Sequence, residues 1–147
     1  MKINRKAVLL VALIFLLPLS SCASNATPSN TITGIVWQWQ SVTNQSTGEK
    51  ITVADPKSYT ITFNDDGTFN GKADCNNISG TYSQESGFSI KLGASTMAYC
   101  GEQSLDTQYL QLLGSIVAGG PDGAGGFALE TAGGAERMEF TNGGAAK

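Results

Sequence analysis

The sequence predicts a mostly β, α+β fold: one small exported domain with a single helix and one disulfide. Three observations carry this. Apolar and polar residues alternate in several short segments, the period of half-buried strands. One stretch alone, about residues 104–116, repeats its apolar residues at the helical period. Of three cysteines, one sits at the end of an export signal and two remain to pair.

The chain of 147 residues begins with Lys2, Arg5 and Lys6 ahead of an unbroken apolar run from Ala7 to Leu17. A bilayer-spanning helix needs about 20 apolar residues, so this run is too short to be one. A short apolar run behind a basic start is the pattern of a secretory signal. Its end, Leu19-Ser20-Ser21-Cys22, resembles the bacterial lipobox. The resemblance implies cleavage before Cys22 and acylation of that cysteine, and two or more acyl chains anchor a protein stably. Residues 1–21 are therefore expected to be a lipoprotein signal peptide and residues 22–32 a lipidated, flexible tether. The expected location is exported and lipid-anchored. Ala23 in place of an aspartate points to the outer membrane in a double-membrane organism; otherwise the outer face of the cytoplasmic membrane is expected.

All twelve acidic residues lie beyond residue 21, against six basic ones, giving that segment a net charge of −6. With no basic cluster, phosphate neutralisation has no footing and nucleic acid is excluded as a partner. The segment is long enough for one modest core and too short for two. Cys75 and Cys100 are expected to form a disulfide, since export favours oxidation. Closing that loop stabilises a fold by roughly 3.5 kcal/mol in the chain-entropy description. Two cysteines without any histidine make no ordinary zinc site, so neither metal nor cofactor is expected.

The domain is expected over residues 33–141, with 142–147 as a disordered tail. Its first strand runs from Ile35 to Val42, with Trp37 and Trp39 alternating against Gln38 and Gln40. Asn44 to Glu49 is loop. A hairpin follows: Ser58 to Phe63 puts Tyr59, Ile61 and Phe63 on one face, Asn64-Asp65-Asp66-Gly67 turns, and Thr68 to Lys72 returns. Ile78 to Tyr82 is a short strand, and Gly87 to Leu92 alternates with Phe88, Ile90 and Leu92 inward. In the helix, Leu105, Tyr109, Leu112, Leu113 and Ile116 form one stripe, with Ser104 or Gly101 as its cap. Residues 119–126 are glycine-rich and are expected to be a flexible linker. Two weak strands, Phe127 to Thr131 and Arg137 to Thr141, close the chain, with Leu129, Met138 and Phe140 as core positions.

Catalysis is not expected. Without histidine there is no histidine-based triad or dyad, the serines lack a nucleophile elbow, and paired cysteines leave no thiol. No catalytic residue is assigned.

The motif set Asp74-Cys75-Asn76, Gly80-Thr81-Tyr82 and Thr96-Met97-Ala98 before Cys100 resembles the META domain family of bacterial envelope proteins. The tryptophan strand, the hairpin and the helix match it in order, over about residues 33–140. The family includes a heat-inducible lipoprotein associated with novobiocin tolerance. The resemblance implies a small, partly open antiparallel β-barrel with one amphipathic helix packed against it, and the Cys75–Cys100 disulfide. On the same footing Asn76 and Gly80 are expected to form turns, while Tyr82 and Thr96 are core or hydrogen-bonding positions. The implied role is non-catalytic: a monomer acting by binding in envelope maintenance or stress tolerance. It would meet the membrane through acyl chains on Cys22 and an envelope protein or lipid as partner. Two other roles are open. A pilot or chaperone that holds a lipid or tail would need an apolar interior not filled by Trp37, Trp39, Tyr59 and Phe88. A small hydrolase inhibitor would need a rigid exposed loop, for which 43–57 and 119–126 are the candidates.

Overall fold

A computed structural model describes residues 31–147; the expected signal peptide, the expected acylation at Cys22 and the expected tether through residue 30 lie outside the described residues. Nine strands and one helix follow in order: β1 (Ile35–Asn44), β2 (Lys50–Thr52), β3 (Tyr59–Phe63), β4 (Thr68–Ala73), β5 (Asn76–Ser83), β6 (Ser89–Ser95), α1 (Asp106–Leu113), β7 (Ile116–Pro121), β8 (Phe127–Thr131) and β9 (Glu136–Ala145). They form one antiparallel sheet in the order β6-β5-β4-β3-β1-β9-β8-β7, with β2 beside the far end of β1. The sheet curls into a half-barrel. Its edge strands β6 and β7 approach where the Phe88 N–H donates to the Val117 carbonyl, 3.2 Å away. The segment joining those two edges contains α1, which packs against β4 and β6.

Local chemistry explains most of the strands. In β1, Trp37 and Trp39 are buried while Gln38 and Gln40, which alternate with them, are half-exposed. The pairing with β9 slips between Trp39 and Ser41, and this bulge keeps Trp39 and Val42, three residues apart, both in the core. The Asn64–Gly67 turn closes because Gly67 takes φ +81° and the Asp66 carboxylate accepts from Thr68 N at 2.9 Å.

The concave side is packed with rings. Trp39 stacks on Tyr109 of the helix at 5.0 Å, Trp37 lies 5.1 Å from Phe127, and Phe63 meets Phe88 at 5.4 Å. Each indole donates to backbone, Trp37 to Ile32 O and Trp39 to Ser41 O, so burial leaves neither N–H unpaired. Leu129, Met138 and Phe140 join this core as the sequence predicts.

Four expectations are corrected. The helix covers Asp106–Leu113 rather than 104–116: Gly114 ends it, and Ile116 opens β7 while remaining buried. The glycine-rich stretch is no linker. Its first half is strand β7, and the rest is a tight turn in which Asp122 Oδ1 accepts from Ala124 N and Gly126 N, both at 2.8 Å. A glycine is required at 119, where a Cβ would lie 2.5 Å from Leu129 Cδ2 and 2.9 Å from Ala128 O. The tail expected to be disordered from 142 continues β9 through Ala145, paired with Ile35. At the other end Ile32, expected to close the tether, is core, while Thr33, the expected first residue of the domain, bridges Phe63.

Candidate functional site

The half-barrel has two poles. One gathers the first described residues, Thr31 to Gly34, with the Asn64–Gly67 turn; Tyr82 reaches it, its hydroxyl donating to Asn64 O at 2.8 Å. The other lies beyond the opposite end of β3, where Asp74 N donates to Ser58 O. There the β4–β5 turn meets the segment that leads from β6 into the helix. Most of the predicted motif residues assemble at this second pole.

Ala73 and Asn76 face each other across a two-residue turn, Asp74-Cys75. Asp74 sits at φ +59°, the left-handed region that aspartate tolerates better than most residues. Cys75 is bonded to Cys100, with Cα atoms 5.6 Å apart.

Asn76 is buried, and its carboxamide takes over where the β5–β6 ladder stops at Ser95. Oδ1 accepts from Ala98 N at 2.8 Å and from Thr96 Oγ1 at 3.0 Å; Nδ2 donates to Ala98 O at 3.0 Å. Thr96 Oγ1 in turn accepts from Asn77 N at 2.9 Å. The Asn76 side chain thus pairs with the Ala98 peptide much as a neighbouring strand would. Asn76 was expected to form a turn; it opens β5 and clamps a distant loop instead.

Tyr59 ties the same pole to the helix. Its hydroxyl donates to Asp74 Oδ2 at 3.1 Å and accepts from Leu105 N at 2.8 Å, with Ser104 Oγ 3.4 Å away. Burial pushes this hydroxyl above the usual phenol range; the contacts with Ser104 and Leu105 oppose that, and the Asp74 carboxylate adds to it. Tyr59 is therefore a fixed donor at neutral pH. Ser104 Oγ accepts from Asp106 N at 3.2 Å, but the helix is capped by Leu105, so neither Ser104 nor Gly101 holds the cap position expected of it. An open cleft of about 370 Å³ lies alongside, lined by Ile51, Thr52, Asp55, Ser58, Tyr59, Asp74, Gln103 and Leu105 among others.

Held this way, the 96–100 loop presents two large side chains to solvent: Met97 is 95% exposed and Tyr99 81%. Thr96, Met97, Ala98 and Cys100 belong to the motif set, but the exposed loops expected from the sequence were 43–57 and 119–126. The disulfide and the hydrogen bonds from Asn76 cross more than twenty residues, beyond the reach of any local pattern.

The remaining motif residues lie elsewhere. Gly80 is inside β5, not in a turn. A Cβ there would stand 2.6 Å from Phe69 Cε1 and 2.2 Å from Lys91 O, so the position needs close approach rather than a bend. Tyr82 packs its ring on Phe63 at 4.7 Å. Among the described residues no group of three or more His, Cys, Asp or Glu is placed to hold a metal ion.

Comparison with known proteins agrees with this architecture. The chain resembles a protein from Burkholderia xenovorans solved by NMR, with TM-score 0.60 and 20% identity, over 76% of this chain and 83% of that one. It also resembles a crystal structure of a DUF4847 family protein from Bacteroides vulgatus, with TM-score 0.56 and 14% identity, over 75% of this chain and 93% of that one. At such identities the likeness speaks for the fold alone. No curated protein matches the sequence. The profile of the META domain matches residues 30–142, from just before β1 into β9, and the chain belongs to the META domain family.

Proposed function

We propose that this chain is a non-catalytic, lipid-anchored envelope protein that serves envelope maintenance or stress tolerance by binding a partner on its outer surface. The observation that carries this reading is the packed interior. Trp37, Trp39, Tyr59 and Phe88 are all buried at 5% exposure or less, and each meets another aromatic ring. A pilot that holds an acyl tail needs that space empty, so the rings favour recognition on the outside. The chemistry of the side chains points the same way. The sequence has no histidine, Cys75 and Cys100 are bonded to each other, and Asp74 and Tyr59 are engaged in holding loops.

The test starts from accurate masses of the membrane-extracted protein, denatured and native, together with a deletion strain under heat and antibiotic stress. We expect a chain beginning at Cys22 with acyl mass, no further mass retained natively, and a stress defect that the intact gene restores. A lipid-sized mass that survives only in the native measurement would move the reading to a tail-binding pilot. Turnover of a substrate by the purified acylated protein would sink the non-catalytic reading.

A further inference from the structure

Met97 and Tyr99 contribute little burial to the fold, yet the chain spends a disulfide and a buried asparagine on fixing the loop that carries them. A tyrosine and a methionine left 81% and 95% exposed on either side of a clamped Ala98 make a rigid apolar knob. Rigid aromatic side chains make strong interface anchors because little freedom is lost on docking, and methionine adapts its shape to a pocket.

Two features indicate what the knob meets. The first is position. The described chain enters the fold at Thr33, which bridges Phe63, whereas the disulfide follows Ala73, which pairs with Tyr59 at the other end of β3. Four residues of strand separate the two ends by roughly 13 Å, so the tether joins one pole and the knob crowns the other. With the anchor at Cys22, the knob is on the end away from the attachment point. The second is charge. Asp74 adjoins Cys75, Asp106 lies 3.3 Å from Asn76 Nδ2 and Glu102 follows Cys100 by two residues, against Lys72, which pairs with Asn77. An acidic rim is repelled by anionic lipid headgroups. In a two-fold dimer through this face the same rim would meet itself.

We infer that the Met97–Tyr99 loop and its acidic rim are the docking surface for a protein partner that offers an apolar pocket edged by lysine or arginine. This rests on the binding reading above and adds the surface and the partner's chemistry.

The test is photo-crosslinking of the full-length chain in its own cells, with p-benzoylphenylalanine replacing Met97 or Tyr99, and replacing Asp65 at the opposite pole as control. The supporting result is one protein adduct, identified by mass spectrometry, from positions 97 and 99 and not from 65. The identified protein, once purified, should lose affinity roughly tenfold or more for the Met97→Ser/Tyr99→Ser chain and should bind the Glu102→Lys chain less well. Since both side chains are in solvent, the double variant should keep the parent's melting temperature. Adducts of phospholipid mass at 97 and 99 would overturn the inference in favour of a membrane surface. Intermolecular adducts with the chain's own peptides would overturn it in favour of self-association. Equal adducts from both poles, or none, would remove the docking site altogether. A double variant that fully restores a deletion strain would sink this surface while leaving the binding reading intact; a substrate turned over by the protein would sink that reading instead.

Discussion

The carboxamide of Asn76 holds the Ala98 peptide by both its groups, accepting from Ala98 N at 2.8 Å and donating to Ala98 O at 3.0 Å. These residues are twenty-two apart in sequence, and the hydrogen bonds replace a ladder that β6 no longer supplies. Asn76→Ala leaves its former partners short of hydrogen bonds, at a cost of about 1–3 kcal/mol. Asn76→Asp should be at least as harmful at neutral pH, because Nδ2 also faces Asp106 Oδ2 at 3.3 Å and a carboxylate there meets a carboxylate. Urea unfolding at pH 7 and pH 4 checks both. If Asn76→Asp is as stable as the parent at pH 7, the clamp described here is not what fixes the loop.

Gly80 is expected to resist any side chain. Its missing Cβ leaves room for the Phe69 ring and for the Lys91 carbonyl, the latter a backbone atom that cannot swing away. Gly80→Ala should cost about 1–3 kcal/mol through overpacking. Gly120, whose Cβ would meet nothing within 4 Å, is the matched control and should lose far less on the same substitution. Thermal melts of the two variants compare them directly, and equal losses would show that strand propensity rather than packing governs Gly80.

The contrast between these two residues shows where sequence patterns carry information. Trp37, Trp39 and the Tyr59–Phe63 hairpin were legible because their own alternation and the Asn64–Gly67 turn define them. Strand β8 was legible for the same reason, down to its bounds at Phe127 and Thr131. Strand β7 was not: Ile-Val-Ala-Gly-Gly-Pro has no alternation, and it extends because β8 pairs with it and Leu129 fills the space above Gly119. The same holds for residues 142–145, ordered by Ile35 and Trp37 in β1 rather than by their own composition. Ile116 kept the helical period while belonging to a strand, so periodicity placed it in the core and in the wrong element. At the candidate site the disulfide could be expected from cysteine count and export. The partners of Asn76 and the exposure of Tyr99 depend on contacts that span the whole loop.

Tyr109 is wholly buried, stacked on Trp39, and its hydroxyl has no hydrogen-bond partner among the described residues. Burial pushes that hydroxyl well above the usual phenol range, so it stays protonated. A buried donor without a partner costs about 1–3 kcal/mol relative to leaving it in water. Tyr109→Phe keeps the ring and removes the orphan, and it should leave stability unchanged or raise it by about 1 kcal/mol. A clear loss in urea midpoint would mean that the hydroxyl does find a partner, an internal water being the first to look for. Tyr109→Ala is the contrasting variant: it empties the ring site between Trp39 and Tyr59 and should cost about 3–5 kcal/mol.

Glu139 links β9 to the β1–β2 corner. One of its oxygens accepts from Lys50 Nζ and from Ser41 Oγ, each at 2.9 Å. The Lys50 ammonium first, and the Ser41 hydroxyl second, hold this carboxyl below the usual carboxylate value, with burial opposing them. A carboxylate with a lowered folded pKa stabilises the fold above its unfolded pKa, and the contribution disappears as pH falls through the folded value. Stability should therefore decline on acidification from about pH 5 downward. Glu139→Gln should flatten part of that decline without abolishing it, because Asp66 is also lowered, by its hydrogen bonds from Thr68. Half-exposure of the Lys50–Glu139 pair and salt screening keep the effect small. It should shrink further at high ionic strength. Urea midpoints taken at steps from pH 7 to pH 3, at low and high salt, make the comparison. A variant whose pH profile overlays the parent's would show that the pair adds nothing to stability, whatever its geometry.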